Sequence, residues 1–246
     1  MSTATHAAAP TADEVATVAK RRVFFGHQSV GGNVLDGLAE VTGGAVRVVA
    51  SREASAFDAP GLVHTLIGQN EAPLTKAADF ERAMDGIGER ADIAFFKLCY
   101  VDFDATTDVQ AVFDAYQGTL DKLAAKYPKV TFVAVTAPLT TVQTGPKAWL
   151  KRTFGSGAWG EAENVKRQAF NEKLREAFRG KPLFDLARLE AQRPDGTTQS
   201  FTRDGAAVPA LTPAYTDDGG HLNAVGRKVV AEALVKFLAA VPVSAH

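Results

Sequence analysis

Two stretches of this chain carry residue types that can do chemistry together. In "GHQSVGG", residues 26–32, Ser29 follows an apolar run and opens a segment with helical spacing, and Gly31 and Gly32 permit close backbone approach. In "DDGGHLN", residues 217–223, Asp218 and His221 form a D-x-x-H spacing ahead of the last helical pattern, with Asn223 placed to cap it. A serine becomes a nucleophile when an imidazole takes its proton, and an aspartate on the other ring nitrogen fixes the tautomer and stabilises the imidazolium. The Gly219-Gly220 link lets the carboxylate fold back onto the ring. Each stretch also has a plainer reading. Ser29 fits an N-cap worth about 1 kcal/mol, and His221 fits a loop histidine satisfied by a local aspartate.

The elements that must position these residues are short apolar runs alternating with segments of helical spacing. "RVFF" at 22–25, "AVRVVA" at 45–50, "ADIAFFKL" at 91–98, "KVTFVAV" at 129–135 and "PLFDLA" at 182–187 read as buried strands. Between and after them, Val34/Leu35/Leu38, Phe80/Met84/Ile87, Val112/Phe113/Leu120/Leu123, Val165/Phe170/Leu174 and Val225/Val229/Val230/Leu234/Phe237/Leu238 recur at helical spacing. Regular βα alternation with continuously apolar strands implies an α/β class with a parallel sheet covered on both faces, because each crossover must carry the chain back across the sheet. Five strands suit a three-layer αβα domain. Thr11 and Glu14 have capping-box spacing, so residues 1–20 read as a tail and short helix and residues 21–242 as a single domain. Two long irregular stretches, 51–76 and 137–161, follow strand ends, where ligands bind in open parallel sheets. The polar stretch 193–205 reads as a surface excursion.

Composition narrows the classes of function. The 246 residues are 46% hydrophobic and 22% charged with formal net charge −1, which lacks the basic footprint of a nucleic-acid binder. Cys99 is the only cysteine, which excludes an internal disulfide and a multi-cysteine metal site, and it reads as an inert buried residue. No run approaches the length of a membrane span, and the N-terminus has no basic stretch followed by an apolar one. Ala7-Ala8-Ala9 fits the scar of a removed export signal or an alanine-rich tail, so localisation stays open, as does oligomeric state.

Ser29 after the first strand and D-x-x-H before the last helix together resemble the first and last blocks of the SGNH/GDSL hydrolase superfamily, and the order of elements is similar over nearly the whole chain. The resemblance implies a flavodoxin-like five-stranded parallel sheet of order 2-1-3-4-5, with Ser29 as nucleophile and Asp218 and His221 completing a triad. It places the second-block glycine in "LIGQNEAPLTKAADF", residues 66–80, so that the Ser29 and Gly68 amides would form an oxyanion hole. Two blocks depart from the pattern. The first reads Gly26-His27-Gln28-Ser29, with His27 as a supporting or substrate-contacting residue. The third, in "FFKLCYVDF" at 95–103, lacks the expected asparagine: Asn70 on the neighbouring loop is the substitute donor, while Lys97, Tyr100 and Asp102 occupy the block as candidate substrate contacts. Each of the four has a structural alternative: a turn for Asn70, snorkelling for Lys97, packing for Tyr100 and capping for Asp102.

In "TTVQTGPKAWLKRTFGSGAWGE", residues 140–161, Trp149, Phe154 and Trp159 suit a sugar ring or an acyl pocket, and Lys147, Lys151 and Arg152 suit an anionic group; the aromatics equally suit anchoring the loop. A zinc site from His27, His64, Asp218 and His221 lacks any H-x-H or H-x-x-x-H pair, so neither metal nor other cofactor is expected. The resulting expectation is a carboxylic ester hydrolase acting on a small-molecule or glycan ester, including O-acetyl groups on carbohydrate. The alternatives are an O-acyltransferase using the same triad and a non-catalytic glycan-binding protein with a degenerate site.

Overall fold

The computed structural model describes residues 8–143 and 159–244. Helix α1 (Ala12–Ala19) begins at the expected capping box, with the Thr11 hydroxyl accepting from the Glu14 N–H and the Glu14 side chain accepting from the Thr11 N–H. The chain continues through β1 (Arg22–His27), α2 (Val30–Thr42), β2 (Val48–Ala50), β3 (Gly61–Leu66), α3 (Pro73–Ile87), β4 (Ile93–Phe96), α4 (Val109–Lys126) and β5 (Thr131–Val135). After the undescribed segment come α5 (Glu161–Ala177), β6 (Leu183–Phe184), α6 (Leu186–Ala191), a hairpin of β7 (Ser200–Arg203) and β8 (Ala206–Pro209), and α7 (Ala224–Ala240).

The main sheet has six strands in the order β2-β3-β1-β4-β5-β6, every pair parallel. The apolar runs predict five. The additional strand is β3, inside the stretch 51–76 that reads as irregular because His64 and Thr65 interrupt its apolar run. Tertiary pairing supplies what the pattern lacks: Val23 pairs with Leu62 and Phe25 with His64 in the centre of the sheet. The run at 45–50 contributes only the three-residue edge strand β2. Without β2, the order β3-β1-β4-β5-β6 is the expected 2-1-3-4-5 arrangement.

Strand side chains alternate between two apolar layers, as the period of two requires. Phe25, Ile93, Phe95, Val133 and Val135 face one core, which is closed by α1, α2, α6 and α7. Phe24, Ala94, Phe96, Phe132 and Ala134 face the other, closed by α3, α4 and α5. The three-layer αβα sandwich follows. The polar excursion forms the exposed β7–β8 hairpin, turned by Asp204 and Gly205 at positive φ, the geometry a two-residue hairpin loop requires. Among the described residues no helix is long and apolar enough to cross a membrane.

Candidate active site

Ser29 lies at the carboxyl end of β1, directly ahead of α2. Its backbone has φ 49° and ψ −114°, a combination that costs a non-glycine residue on the order of 1–3 kcal/mol. Its hydroxyl makes no bond to the helix it precedes, so the N-cap reading does not hold. The hydroxyl instead meets His221 Nε2 at 2.7 Å. His221 Nδ1 meets Asp218 Oδ2 at 2.6 Å, and a carboxylate can only accept there, so Nδ1 carries the ring proton and Ser29 donates to Nε2. The other carboxylate oxygen, Asp218 Oδ1, accepts from the backbone N–H groups of Gly220 (2.9 Å) and His221 (2.8 Å). Burial opposes ionisation of Asp218, but the Gly220 N–H, the His221 ring and the His221 N–H outweigh it and hold the carboxyl well below the usual carboxylate range. Both side chains are about half exposed, so the series opens to solvent.

The loop carrying Asp218 and His221 needs both of its glycines. Gly219 has φ +93°, and a Cβ there would come within 2.9 Å of Thr141 Oγ1 and 3.2 Å of the Trp159 ring. A Cβ on Gly220 would stand 2.8 Å from the Tyr100 ring. Asn223 caps α7 by accepting from Val225 and Gly226 N–H, as its position in the sequence predicts.

The parallel αβα fold has counterparts among solved structures. A structure from Streptococcus pneumonia, provisionally described as a platelet activating factor, superposes with TM-score 0.52 at 14% identity, covering 88% of this chain and 82% of that one. The two chains share this fold. A protein from Desulfitobacterium hafniense DCB-2, provisionally described as lipolytic and of the G-D-S-L family, aligns at TM-score 0.49 and 9% identity over 87% of this chain and 98% of its own. The catalytic domain of peptidoglycan O-acetyltransferase A from Streptococcus pneumoniae aligns at TM-score 0.41 and 11% identity over 89% of this chain and 92% of its own. No protein-family model matches the sequence, and no curated protein matches it significantly.

Within this fold several expected contacts move. The Gly68 N–H donates to Asp79 Oδ2 at 2.9 Å and is therefore not a free oxyanion donor. Asp79 stays ionised to accept it, because Arg52, joined by Gly68 and Arg82, holds its carboxyl down at about 2. Asn70 is exposed on the same loop, and its Oδ1 accepts from Lys76 Nζ at 3.1 Å, leaving the side-chain NH₂ as the donating end. Asp102 does not reach the surface. Its carboxylate is fully buried against Lys76 Nζ (2.7 and 2.6 Å) and accepts from the N–H groups of Cys99 (2.6 Å) and Glu71 (3.0 Å).

Lys97 is also buried, its Nζ donating to the Leu98 carbonyl at 3.2 Å and approaching Cys99 Sγ at 3.5 Å, and burial pushes its pKa down. It is a core residue, not a substrate contact. His27, 3% exposed, stacks on Phe25 and pairs through Nε2 with His64 Nδ1 at 3.0 Å, away from the Ser29 hydroxyl. Burial, then His64 and Lys97, push its pKa down to about 3, so the ring is neutral at ordinary pH. Cys99 is free and buried, as its position predicts.

Tyr100 stands beside His221, its Oη 3.4 Å from Nδ1, and borders a cavity of about 800 Å³. Leu74, Phe103, Val112, Trp159 and Arg167 line other parts of that cavity. Trp149, with Lys147, Lys151, Arg152 and Phe154, lies outside the described residues.

A polar network that no motif in the sequence announces supports the site. On α5, Asn164, Arg167 and Asn171 are buried, and each grips backbone or side-chain atoms of the loops around the site. Asn171 pairs with both polar groups of Ala137 (2.7 and 3.0 Å), and Asn164 with both of Thr140 (3.2 and 2.7 Å). Arg167 donates twice to the Tyr100 carbonyl (3.0 and 2.9 Å) and once to Thr140 Oγ1 (2.9 Å). Thr141 N–H in turn donates to the Gly219 carbonyl at 2.8 Å, which ties this scaffold to the loop holding Asp218 and His221. Positions 164, 167 and 171 share one helical face, a legible signal that equally describes a solvated stripe.

Proposed function

We propose that this chain is a serine-dependent carboxylic ester hydrolase. The observation that carries the reading is the continuous series from Ser29 Oγ to His221 Nε2 (2.7 Å) and from His221 Nδ1 to Asp218 Oδ2 (2.6 Å). Ser29 Oγ attacks the ester carbonyl while His221 Nε2 takes its proton, and Asp218 stabilises the imidazolium. His221 then gives that proton to the departing alkoxide, leaving an acyl-Ser29. Water, deprotonated by the same Nε2, attacks the acyl-enzyme, and Ser29 leaves with the returned proton as the acid is freed. The oxyanion meets the Ser29 N–H at the N-terminus of α2, where the helix dipole favours negative charge. Asn70 supplies a side-chain donor from the adjoining loop.

The cavity beside Tyr100 receives one side of the ester, and its about 800 Å³ accommodates a group much larger than acetyl. Trp159, against Gly219 and on the cavity wall, supports a ring-bearing substrate such as an acylated sugar. Labelling with a fluorophosphonate probe tests the reading: the parent labels and hydrolyses p-nitrophenyl butyrate, whereas Ser29→Ala does neither. A folded parent that fails to label would sink it. Running the same assay with increasing alcohol acceptor separates hydrolysis from acyl transfer, since a transferase yields the new ester at the expense of free acid.

A further inference from the structure

The family-type asparagine expected after the third sheet strand is absent, and the chain puts Tyr100 at that end of β4. Tyr100 is held firmly. Two N–H groups of Arg167 grip its carbonyl, and its ring meets the His221 ring edge-on at a centroid distance of 5.5 Å. The same ring fills the space left by the missing side chain of Gly220. Its hydroxyl lies against the catalytic imidazole: Oη is 3.4 Å from His221 Nδ1, and the ring's other nitrogen holds the Ser29 hydroxyl at 2.7 Å. Because the Nδ1 proton is already directed to Asp218, Nδ1 cannot accept from the phenol, and the Tyr100 proton is left to another acceptor. Meanwhile the second-block amide, Gly68 N–H, is consumed by Asp79, which leaves only the Ser29 N–H and the Asn70 side chain among the expected donors. Burial and the neighbouring Asp218 charge push the Tyr100 pKa up, which keeps the phenol protonated.

We propose that the Tyr100 hydroxyl is a catalytic oxyanion donor, joining the Ser29 N–H and Asn70 in place of the Gly68 amide that Asp79 holds. This rests on the ester hydrolase reading. As the carbonyl oxygen gains charge during attack by Ser29, Tyr100 O–H donates to it without transferring its proton, and the bond is released when the carbonyl re-forms.

Tyr100→Phe tests the proposal, since it keeps the ring and its packing on Gly220 and His221. With p-nitrophenyl butyrate, kcat is expected to fall on the order of 100-fold while KM changes less than about twofold, the pattern of a lost transition-state contact. Inhibition by phenylboronic acid, which forms a tetrahedral adduct on the serine, should weaken by a comparable factor, with the thermal midpoint retained. Parental kcat and parental boronate inhibition in Tyr100→Phe would overturn the proposal. So would a loss of kcat with unchanged boronate affinity and a displaced acid limb of the pH–rate profile, which would make Tyr100 a positioning residue for His221. The two levels separate cleanly: a parent that neither labels nor turns over overturns both readings, whereas an active parent with an unimpaired Tyr100→Phe overturns this one alone.

Discussion

Ser29 holds a backbone conformation that serine rarely adopts, and its hydroxyl faces His221 instead of capping the helix it precedes. A strained residue kept at a strand end is stabilised by its surroundings, and here Gly31 is part of them: a Cβ at that position would lie 2.4 Å from His27 Cβ. The Asp218 carboxylate has one oxygen on the imidazole and the other on two backbone amides, so Asp218→Asn should preserve the loop while favouring the wrong ring tautomer. The expected result is a fall in kcat of about 10³–10⁴-fold with little change in stability, read by ester turnover and thermal unfolding. Gly220→Ala places a methyl against the Tyr100 ring and should lower both the thermal midpoint and kcat, the latter at least about tenfold through displacement of Tyr100 and His221. Recovery of the midpoint on adding Tyr100→Ala would show that the clash, and not the loop backbone, causes the loss of folding stability.

Among the elements, α5 does the positioning. Its buried asparagines give the 137–141 segment the hydrogen-bond partners that a neighbouring strand would otherwise supply, at the point where the two-residue β6 gives out. Asn164→Ala strands the Thr140 N–H, while the Thr140 carbonyl keeps the Leu211 N–H at 3.0 Å, and should destabilise the fold by about 1–3 kcal/mol, with kcat falling as well, because Thr141 anchors Gly219. A second clamp joins α3 to the turn after β4 through Lys76 and Asp102, both fully buried. Lys76→Met leaves the Asp102 charge uncompensated and should cost about 3–5 kcal/mol in denaturant unfolding, with Lys76→Met/Asp102→Asn recovering part of the loss. The second clamp was not legible from the sequence: Lys76, in the first turn of α3, and Asp102 are separated by the rest of α3 and all of β4, and no local spacing pairs them. The strands were legible where apolar runs were continuous, as in "ADIAFFKL", and not where His64 and Thr65 broke the pattern in β3.

Across the whole molecule, polar groups buried between the layers make stability depend on pH. Burial pushes the Glu190 carboxyl up to about 8, while its Oε2 accepts from Leu139 N–H at 2.6 Å and its Oε1 has no hydrogen-bond partner among the described residues. The native state therefore holds this proton more tightly than the unfolded chain, whose value is near 4.5. Its contribution is fully present below about 4.5 and is lost as pH rises through about 8. Glu190→Gln keeps an acceptor for Leu139 and removes the titration, so its thermal midpoint should fall less than the parent's between these limits. His27 acts in the opposite sense at lower pH, and because the variant retains it, the difference between the two melting curves isolates Glu190.

The sequence by itself determined the alternation of strands and helices, the placement of Ser29 at a strand end and the local D-x-x-H loop, because these depend on periodicity and on contacts a few residues apart. Only the tertiary structure decided which donors remain free. Whether Gly68 N–H is spent on Asp79, whether Asp102 is sealed beneath Lys76, and whether the Tyr100 hydroxyl reaches the His221 ring all depend on the packing of distant elements. A backbone N–H has one proton to give, and the chain's spacing does not say which acceptor receives it.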